Sequence, residues 1–469
     1  GDCRYRGRCQ HCLRKWAGVS GSGSGGPLKA AKRAFWEQIT RLYNRHYGVK
    51  PLPETEIVRR SKCHYLIGEA GYPNYGDELI AREWVKYLAQ VDPEVPVVLD
   101  CLCAGPAAAI CSGLHPKFSV VDTVAQMCMI DRAHIYDEQH AVSDSVEPAA
   151  AVAPTIEEIP VPQIANRVLA ALDAEGLDAR YAAGIRLLNN RALDMHVIGG
   201  GYMHSFWNAN LARLAVAKWA QAHGKPAVVS GVGLEPLDAE DAEWVADIAS
   251  HITAFSCRDM PSLDAIDSSH SYATLAPDDC FVNGLEGVYL PDEAAGDLPE
   301  TMVCVQTDLV PDPAALLDHM VAVLQAWEAP AGERVGVVEC IPYDSMDALR
   351  VIRDHGWEPV LFPLQNLIDH GFPARSGQRW LSTRYHPHLL AAARGCSGTF
   401  IPVKPGYYDV KHAAVLRMGS RWTQTTIGDS LIPKPGPGFA DPSVRFAYRD
   451  QIRAQVAPLY GEPHSFVSL

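Results

Sequence analysis

Five short clusters carry the residues best suited to chemistry in this 469-residue chain. The first, Asn74-Tyr75-Gly76-Asp77-Glu78, lies between an apolar run ending near Ile67 and a helical pattern. An Asp at a helix start can cap the first turn, and the exposed amides there favour an anion. Gly68, Gly71 and Gly76 would let the turn backbone approach a ligand, although a plain strand-to-helix turn accounts for the same residues. The second, Val197-Ile198-Gly199-Gly200-Gly201-Tyr202, runs an apolar strand into three glycines whose amides could meet a phosphate or a sugar. It is not the G-x-G-x-x-G dinucleotide fingerprint, and close backbone packing explains it equally well. In the third, Phe255-Ser256-Cys257-Arg258-Asp259, Arg258 can fork onto a carboxylate or phosphate, while Asp259 fits an ordinary helix start. The fourth, Ser382-Thr383-Arg384-Tyr385-His386-Pro387, sets an anion-binding guanidinium two residues from a group that titrates near neutrality. That pairing suits acid catalysis on a phosphorylated substrate. The fifth, Tyr408-Asp409-Val410-Lys411, adds a cation, with Lys404 as a further candidate.

These clusters need a scaffold that brings them together. Short apolar strands are expected at 64–67, 97–100, 195–198, 227–230, 254–257, 302–306, 335–339, 359–361 and 399–403. Helical patterns at 77–88, 209–222, 239–249, 313–327 and 345–355 alternate with them, which is the signature of β-α-β units around parallel sheets. Pro387 is expected to hold His386 in a loop ahead of a helix over 389–394. The turn-rich stretch 283–300 reads as the boundary between two α/β sheets, with the active site facing the cleft between them. The expected layout is therefore a basic Cys-rich head with a Gly/Ser linker (1–26), an N-terminal Rossmann-like domain (27–298) and a C-terminal one (299–430). A tail (431–469) then packs on the body. An amphipathic lead-in helix falls at 28–47, and an Ala/Pro-rich insertion at 134–162.

Composition narrows the function classes. Apolar residues make up 48% and charged residues 20%, which argues against disorder, and no apolar run is long enough to span a bilayer. A formal net charge of −14 is opposite in sign to the footprint of a nucleic-acid binder, so an anionic substrate would need a local basic pocket. The thirteen cysteines, mostly in apolar stretches, read as reduced thiols, and with no signal-peptide core the expectation is a cytoplasmic protein. Cys3, Cys9, His11 and Cys12 lack the spacing of a standard zinc motif, and no metal is assigned. The positive head leaves open peripheral contact with an anionic lipid surface or a phosphorylated carrier.

In their order, N-Y-G-D-E, G-G-G, R-D, R-x-H and Y-D-x-K resemble the polysaccharide pyruvyl transferase family over residues 66–420, with Ser230 to Leu237 and Ala276 to Asp279 matching between them. The resemblance implies two Rossmann-like domains facing a cleft in a GT-B-like arrangement. It implies phosphoenolpyruvate as donor substrate, a sugar or glycan hydroxyl pair as acceptor, and no cofactor. Carried over by position, Arg258, Arg384 and His386 would engage the donor, with His386 as acid. Lys411 would lie close to the donor, and Asp77 at the cleft mouth near the acceptor would act as base. Asn74, Gly199, Gly200, Gly201 and His204 complete the expected substrate-binding set. After the glycines, Tyr202, His204, Phe206 and Trp207 stand where the family more often has a short polar or acidic residue, which suggests an aromatic acceptor pocket suited to stacking on a sugar face. A GT-B glycosyltransferase using a nucleotide sugar is the alternative reading. A non-catalytic glycan- or peptide-binding module on the same fold is the third, and the Arg384-Tyr385-His386 run argues against it.

Overall fold

A computed structural model describes residues 34–35, 38–39, 42, 46, 53–129, 159–174, 180–266, 272–307, 310–404 and 406–461. The basic head with its cysteine cluster and linker, most of the lead-in helix and nearly all of the 134–162 insertion lie outside the described residues. Contacts group the chain into Gly1–Val58 and one compact unit, Arg59–Leu469, which holds everything described below.

Two all-parallel sheets form this unit. The first contains β1 (Cys63–Ile67), β2 (Val97–Asp100), β3 (Phe118–Val121), β4 (Ala192–Val197), β5 (Ala227–Val232), β6 (Ala254–Cys257) and β7 (Thr274–Leu275), in the spatial order β3-β2-β1-β4-β5-β6-β7. The second contains β8 (Thr301–Cys304), β9 (Arg334–Val338), β10 (Glu358–Phe362), β11 (Arg379–Ser382), β12 (Ser397–Phe400) and β13 (Thr423–Gln424), in the order β10-β9-β8-β11-β12-β13. Each is a doubly wound Rossmann sheet, with strand order reversing between β1 and β4 in one and between β8 and β11 in the other. Loops beyond the strand ends at such a reversal form a natural crevice. The central strands β1, β2 and β5 are buried along their whole length, as expected for strands covered by helices on both faces.

Six helices position the functional loops: α1 (Tyr75–Val91), α2 (Leu214–Ala222), α3 (Met260–Ile266), α4 (Tyr385–Ala393), α5 (Tyr408–Met418) and α6 (Val444–Tyr460). Helix α1 follows β1 after a turn at Gly71, whose φ of 79° suits glycine. It buries Leu79, Ile80, Trp84, Val85, Tyr87 and Leu88, and Asp77 and Glu78 occupy its first turn, where the positive end of the helix dipole favours them. Asp77 does not cap this helix. Asn74 holds the cap position, and Asp77 lies inside the first turn, accepting a 2.7 Å hydrogen bond from Asn74 Nδ2.

The C-terminal tail contributes to the buried core. Helix α6 returns to the first sheet and buries Ile452, Val456 and Tyr460, and the Tyr460 hydroxyl lies 2.9 Å from His196 Nδ1 on β4. Burial and then the nearby His64 charge push His196 down to about 3, so a neutral ring bridges Tyr460 and Ser230 Oγ. Among the described residues no helix is long and apolar enough to cross a membrane, and no group of three or more His, Cys, Asp or Glu is placed to hold a metal ion.

Candidate active site

The loops at the two strand-order reversals line one cleft of about 530 Å³. From the first sheet come Glu69, Asn74, Gly76 and Asp77 after β1, Gly201 and Tyr202 after β4, and Arg258 after β6. From the second come Cys340 after β9 and Arg384, Tyr385 and His386 after β11, with Tyr408 and Lys411 on α5. Residues more than 300 positions apart thus share one wall because both sheets present the carboxyl ends of their strands to the same space.

Arg258 is almost fully buried and donates from Nη1 to Asp278 Oδ2 at 2.9 Å. Its guanidinium lies over the Tyr385 ring, 4.3 Å from the centroid. The other oxygen of Asp278 lies 3.5 Å from His386 Nε2, so one buried carboxylate faces a cation from the first sheet and a histidine from the second. Burial alone would push Asp278 up, but the His386 ring and Arg258 hold it well below the usual carboxylate range. This carboxylate, which aligns two cleft-lining side chains, was legible only as part of the Ala276 to Asp279 stretch. Asp259 plays the plainer part of its two sequence readings, accepting from Ser262 N at 2.8 Å at the start of α3.

His386 does not precede its helix. It sits in the first turn of α4, which begins at Tyr385 with Arg384 at the cap. Pro387 is tolerated because a first-turn amide has no intrahelical acceptor to lose. The helix start therefore aims His386 at the opposite sheet, and Gly76 makes room for it: a Cβ there would fall 1.9 Å from His386 Nδ1. The amide of Tyr75, next to Gly76, donates to the Cys340 carbonyl at 2.9 Å, so the start of α1 is tied to the second sheet's loops. Arg384 donates to the Tyr408 hydroxyl at 2.8 Å, which ties the R-x-H and Y-D-x-K clusters directly.

Asp77 is buried, and this raises its carboxyl to about 6, with Glu69 adding to the rise and His386, Arg258 and Lys411 opposing it. It is therefore poised to exchange a proton near neutrality. Lys411 is depressed well below the ordinary lysine range by burial and by Arg258 and Arg384, against the pull of Asp77 and Asp259. Its Nζ lies 3.5 Å from the centre of the Tyr407 ring.

The glycine run serves packing more than anion binding. The Gly199 amide donates to Asp279 Oδ2 at 2.8 Å and the Gly200 amide to the Gly231 carbonyl, so neither is directed at the cleft. Asp279 also accepts from Trp84 Nε1 and Ser230 Oγ, which locks β4, β5 and α1 around it. Gly201 does line the cleft, and a Cβ there would fall 2.4 Å from Arg258 Nη2 and 3.2 Å from Lys411 Nζ. His204 likewise departs from its expected role. It is 1% exposed and lies behind the wall, its ring 4.5 Å from that of Trp207 and 5.6 Å from that of Tyr407. Burial, then Lys411, Lys404 and Arg258, push it down to about 3, leaving a neutral ring that supports the aromatic wall. Trp207 and Tyr72, 44% and 61% exposed, are the open aromatic faces of the cleft.

A family model for polysaccharide pyruvyl transferases matches residues 74–405, from the start of α1 to just short of α5. The chain belongs to this family. It is thus a transferase enzyme, and the matched span takes in every cluster above except the one holding Lys411. No curated protein matches the sequence. Among solved structures, UDP-GlcNAc 2-epimerase from Neisseria meningitidis, bound to UDP-GlcNAc, overlays with a TM-score of 0.42 at 7% identity, covering 85% of this chain and 93% of that one. The spinosyn rhamnosyltransferase SpnG gives 0.40 at 12%, covering 85% and 93%, and MurG from Acinetobacter baumannii gives 0.39 at 10%, covering 86% and 94%. The two-sheet architecture stands on its own strand order.

Proposed function

We propose that this protein moves the pyruvyl group of phosphoenolpyruvate onto two hydroxyls of a sugar or glycan acceptor, forming a cyclic ketal. The observation that supports this most is the meeting of Arg258, Arg384, Lys411 and His386, drawn from both sheets, on one wall of a cleft in an acidic protein. A donor carrying a phosphate and a carboxylate would find there the fixed cations that a small polyanion needs.

The roles follow from chemistry. His386 in its protonated form gives a proton to C3 of the enol, which leaves C2 electrophilic. One acceptor hydroxyl adds to C2 and passes its proton to Asp77, the buried carboxyl that titrates at about 6. The C2–O bond to phosphate then breaks, and the second hydroxyl closes the ring as its proton leaves. The two hydroxyl protons balance the one gained at C3 and the one carried off by phosphate. Arg258 and Arg384 hold the anionic groups throughout, and Trp207 and Tyr72 offer faces for a sugar ring.

Calorimetric titration with phosphoenolpyruvate tests the donor assignment. Saturable heat is expected with the wild type, and Arg384→Ala should weaken binding about 10- to 150-fold, the span of a lost charge-assisted hydrogen bond. Binding of UDP-sugars but not of phosphoenolpyruvate would replace this reading with glycosyl transfer.

A further inference from the structure

Among the described residues, three acidic side chains line the cleft: Glu69 from the loop after β1, Asp77 from α1, and Asp344 from the loop after β9, which accepts from Gln306 Nε2. The reaction above uses Asp77 and gives Glu69 no part. Glu69 is nevertheless held with care. Arg213, fully buried at the cap of α2, donates from Nη1 to Glu69 Oε2 at 2.8 Å and to the Gly68 carbonyl at 3.1 Å. The carboxylate and the backbone ahead of it are therefore fixed from behind the wall by a cation that solvent does not reach. Asp77 is arranged alike, since Asn74 Nδ2 donates to its Oδ2 at 2.7 Å. In each carboxylate one oxygen is tied to the protein, and among the described residues no hydrogen bond reaches the other, Oε1 of Glu69 or Oδ1 of Asp77. The two charges are also close enough for Glu69 to add to the rise of Asp77.

We infer that Glu69 is an acceptor-binding residue: its Oε1 accepts a hydrogen bond from one hydroxyl of the sugar's pair while Asp77 faces the other. This rests on the ketal reading above and deepens it. Closing a ketal requires two hydroxyls of one sugar unit to be held at once, and two neighbouring carboxylates with one open oxygen each match that demand. A carboxylate accepts hydrogen bonds and repels anions, so Glu69 suits a neutral sugar and not the phosphate or carboxylate of the donor. Its place agrees. Tyr72, an open aromatic face for a sugar ring, belongs to the same loop, whereas Arg258 follows β6 and Arg384 and Lys411 come from the second sheet's side. The two acids divide the work: Glu69, pinned by Arg213, orients a hydroxyl, and Asp77 exchanges a proton.

Phosphate release from phosphoenolpyruvate by the full chain, with the p-nitrophenyl glycosides of galactose, glucose, mannose and N-acetylglucosamine as acceptors, tests this beside calorimetric titration of the donor alone. For the glycoside the wild type uses best, Glu69→Ala should raise KM about 10- to 150-fold, the span of a hydrogen bond to a charged group, and leave donor affinity unchanged. A loop that had merely loosened would weaken donor and glycoside alike. Glu69→Ala leaves the buried Arg213 unpaired, so the double variant Glu69→Ala, Arg213→Met, which removes both charges together, is measured as well and should show the same rise in KM. An unchanged glycoside KM in either variant overturns the inference, as does a parallel loss of donor and glycoside binding. Donor binding by the wild type without transfer to any of the four glycosides also overturns it, because a single sugar unit is then not recognised, and leaves the donor assignment standing. Absence of donor binding in the wild type removes the donor reading, and this inference with it. A structure of the wild type with the glycoside bound needs no variant, and Glu69 Oε1 beyond hydrogen-bond distance of every sugar hydroxyl would refute the assignment.

Discussion

Two histidines, His386 and His64, are built from the same chemical parts and put to opposite uses. His64, on β1, is 1% exposed, with Nδ1 2.6 Å from Asp194 and Nε2 2.9 Å from Asp92. Asp92 in turn pairs with Arg59. Burial alone would lower this histidine, but Asp194 and Asp92 outweigh it and raise the ring to about 9, so His64 is an imidazolium with both nitrogens engaged. His386 also has an aspartate and an arginine beside it, yet the pair is looser at 3.5 Å, and the ring, Arg258 and Lys411 all line open space. A closed charge cluster at the start of β1 holds strands together, whereas the one beyond the ends of β6 and β11 faces the cleft, where the proposed donor would complete it. The difference lies in what the cluster still lacks rather than in which residues compose it.

The sharpest way to break that distinction is Arg258→Met, because Arg258 belongs to both categories. Removing it leaves the buried Asp278 carboxylate with His386 and the Cys280 amide but no fixed cation, and unfolding in denaturant should show about 3–5 kcal/mol lost, together with loss of donor binding. A variant that lost only binding would show that the Arg258–Asp278 pair contributes nothing to the fold.

His386→Ala should separate function from stability more cleanly. Turnover should fall about 10²- to 10⁴-fold, as for removal of a general acid, with a much smaller change in donor affinity. In the same assay the rate should rise with pH through about 6 as Asp77 loses its proton, and Asp77→Asn should remove that rise. Equal losses of donor affinity and turnover in His386→Ala would place the ring in binding rather than proton transfer.

His64 predicts the converse. Its folded value, about 9, lies above the unfolded 6.5, so its stabilisation is fully present below pH 6.5 and is lost as pH rises through 9. The shift corresponds to about 3 kcal/mol, read as a falling denaturation midpoint across that window, and His64→Gln should flatten the dependence without touching donor binding. The smallest effect belongs to the exposed Lys218–Asp247 pair, where Lys218→Ala should change stability by less than about 1 kcal/mol, measured the same way.

Much of the fold was legible because the central strands are short apolar runs bounded by turn residues. The expected strands at 97–100 and 254–257 match β2 and β6, and the helix expected at 239–249 is found there. The helix expected over 209–222 is instead broken before Leu214, where Arg213 at the cap of α2 turns inward to pair with Glu69 at 2.8 Å. Strand β11 went unread, although it is central to the second sheet and leads directly into Arg384. Its four residues, Arg379-Trp380-Leu381-Ser382, put a charge and a hydroxyl at the ends of a two-residue apolar pair, too short to show a period. Strands β3, β7 and β13 escaped for related reasons, two of them being only two residues long.

By itself the sequence determined the alternation of strands and helices, the excess of negative charge, and which short clusters end strands with Gly, Arg or His. Those properties are local, written in residue type and period. Tertiary structure alone decided that Asp278 joins Arg258 to His386, that Gly199 and Gly200 give their amides to the interior, and that His204 backs a wall instead of lining the cleft. It also decided that the Lys411 Nζ lies against the ring faces of Tyr407 and Tyr408. Each of these outcomes depends on which groups meet across two sheets, and a carboxylate's partner or an amide's acceptor follows from that neighbourhood and not from the residue's place in the chain.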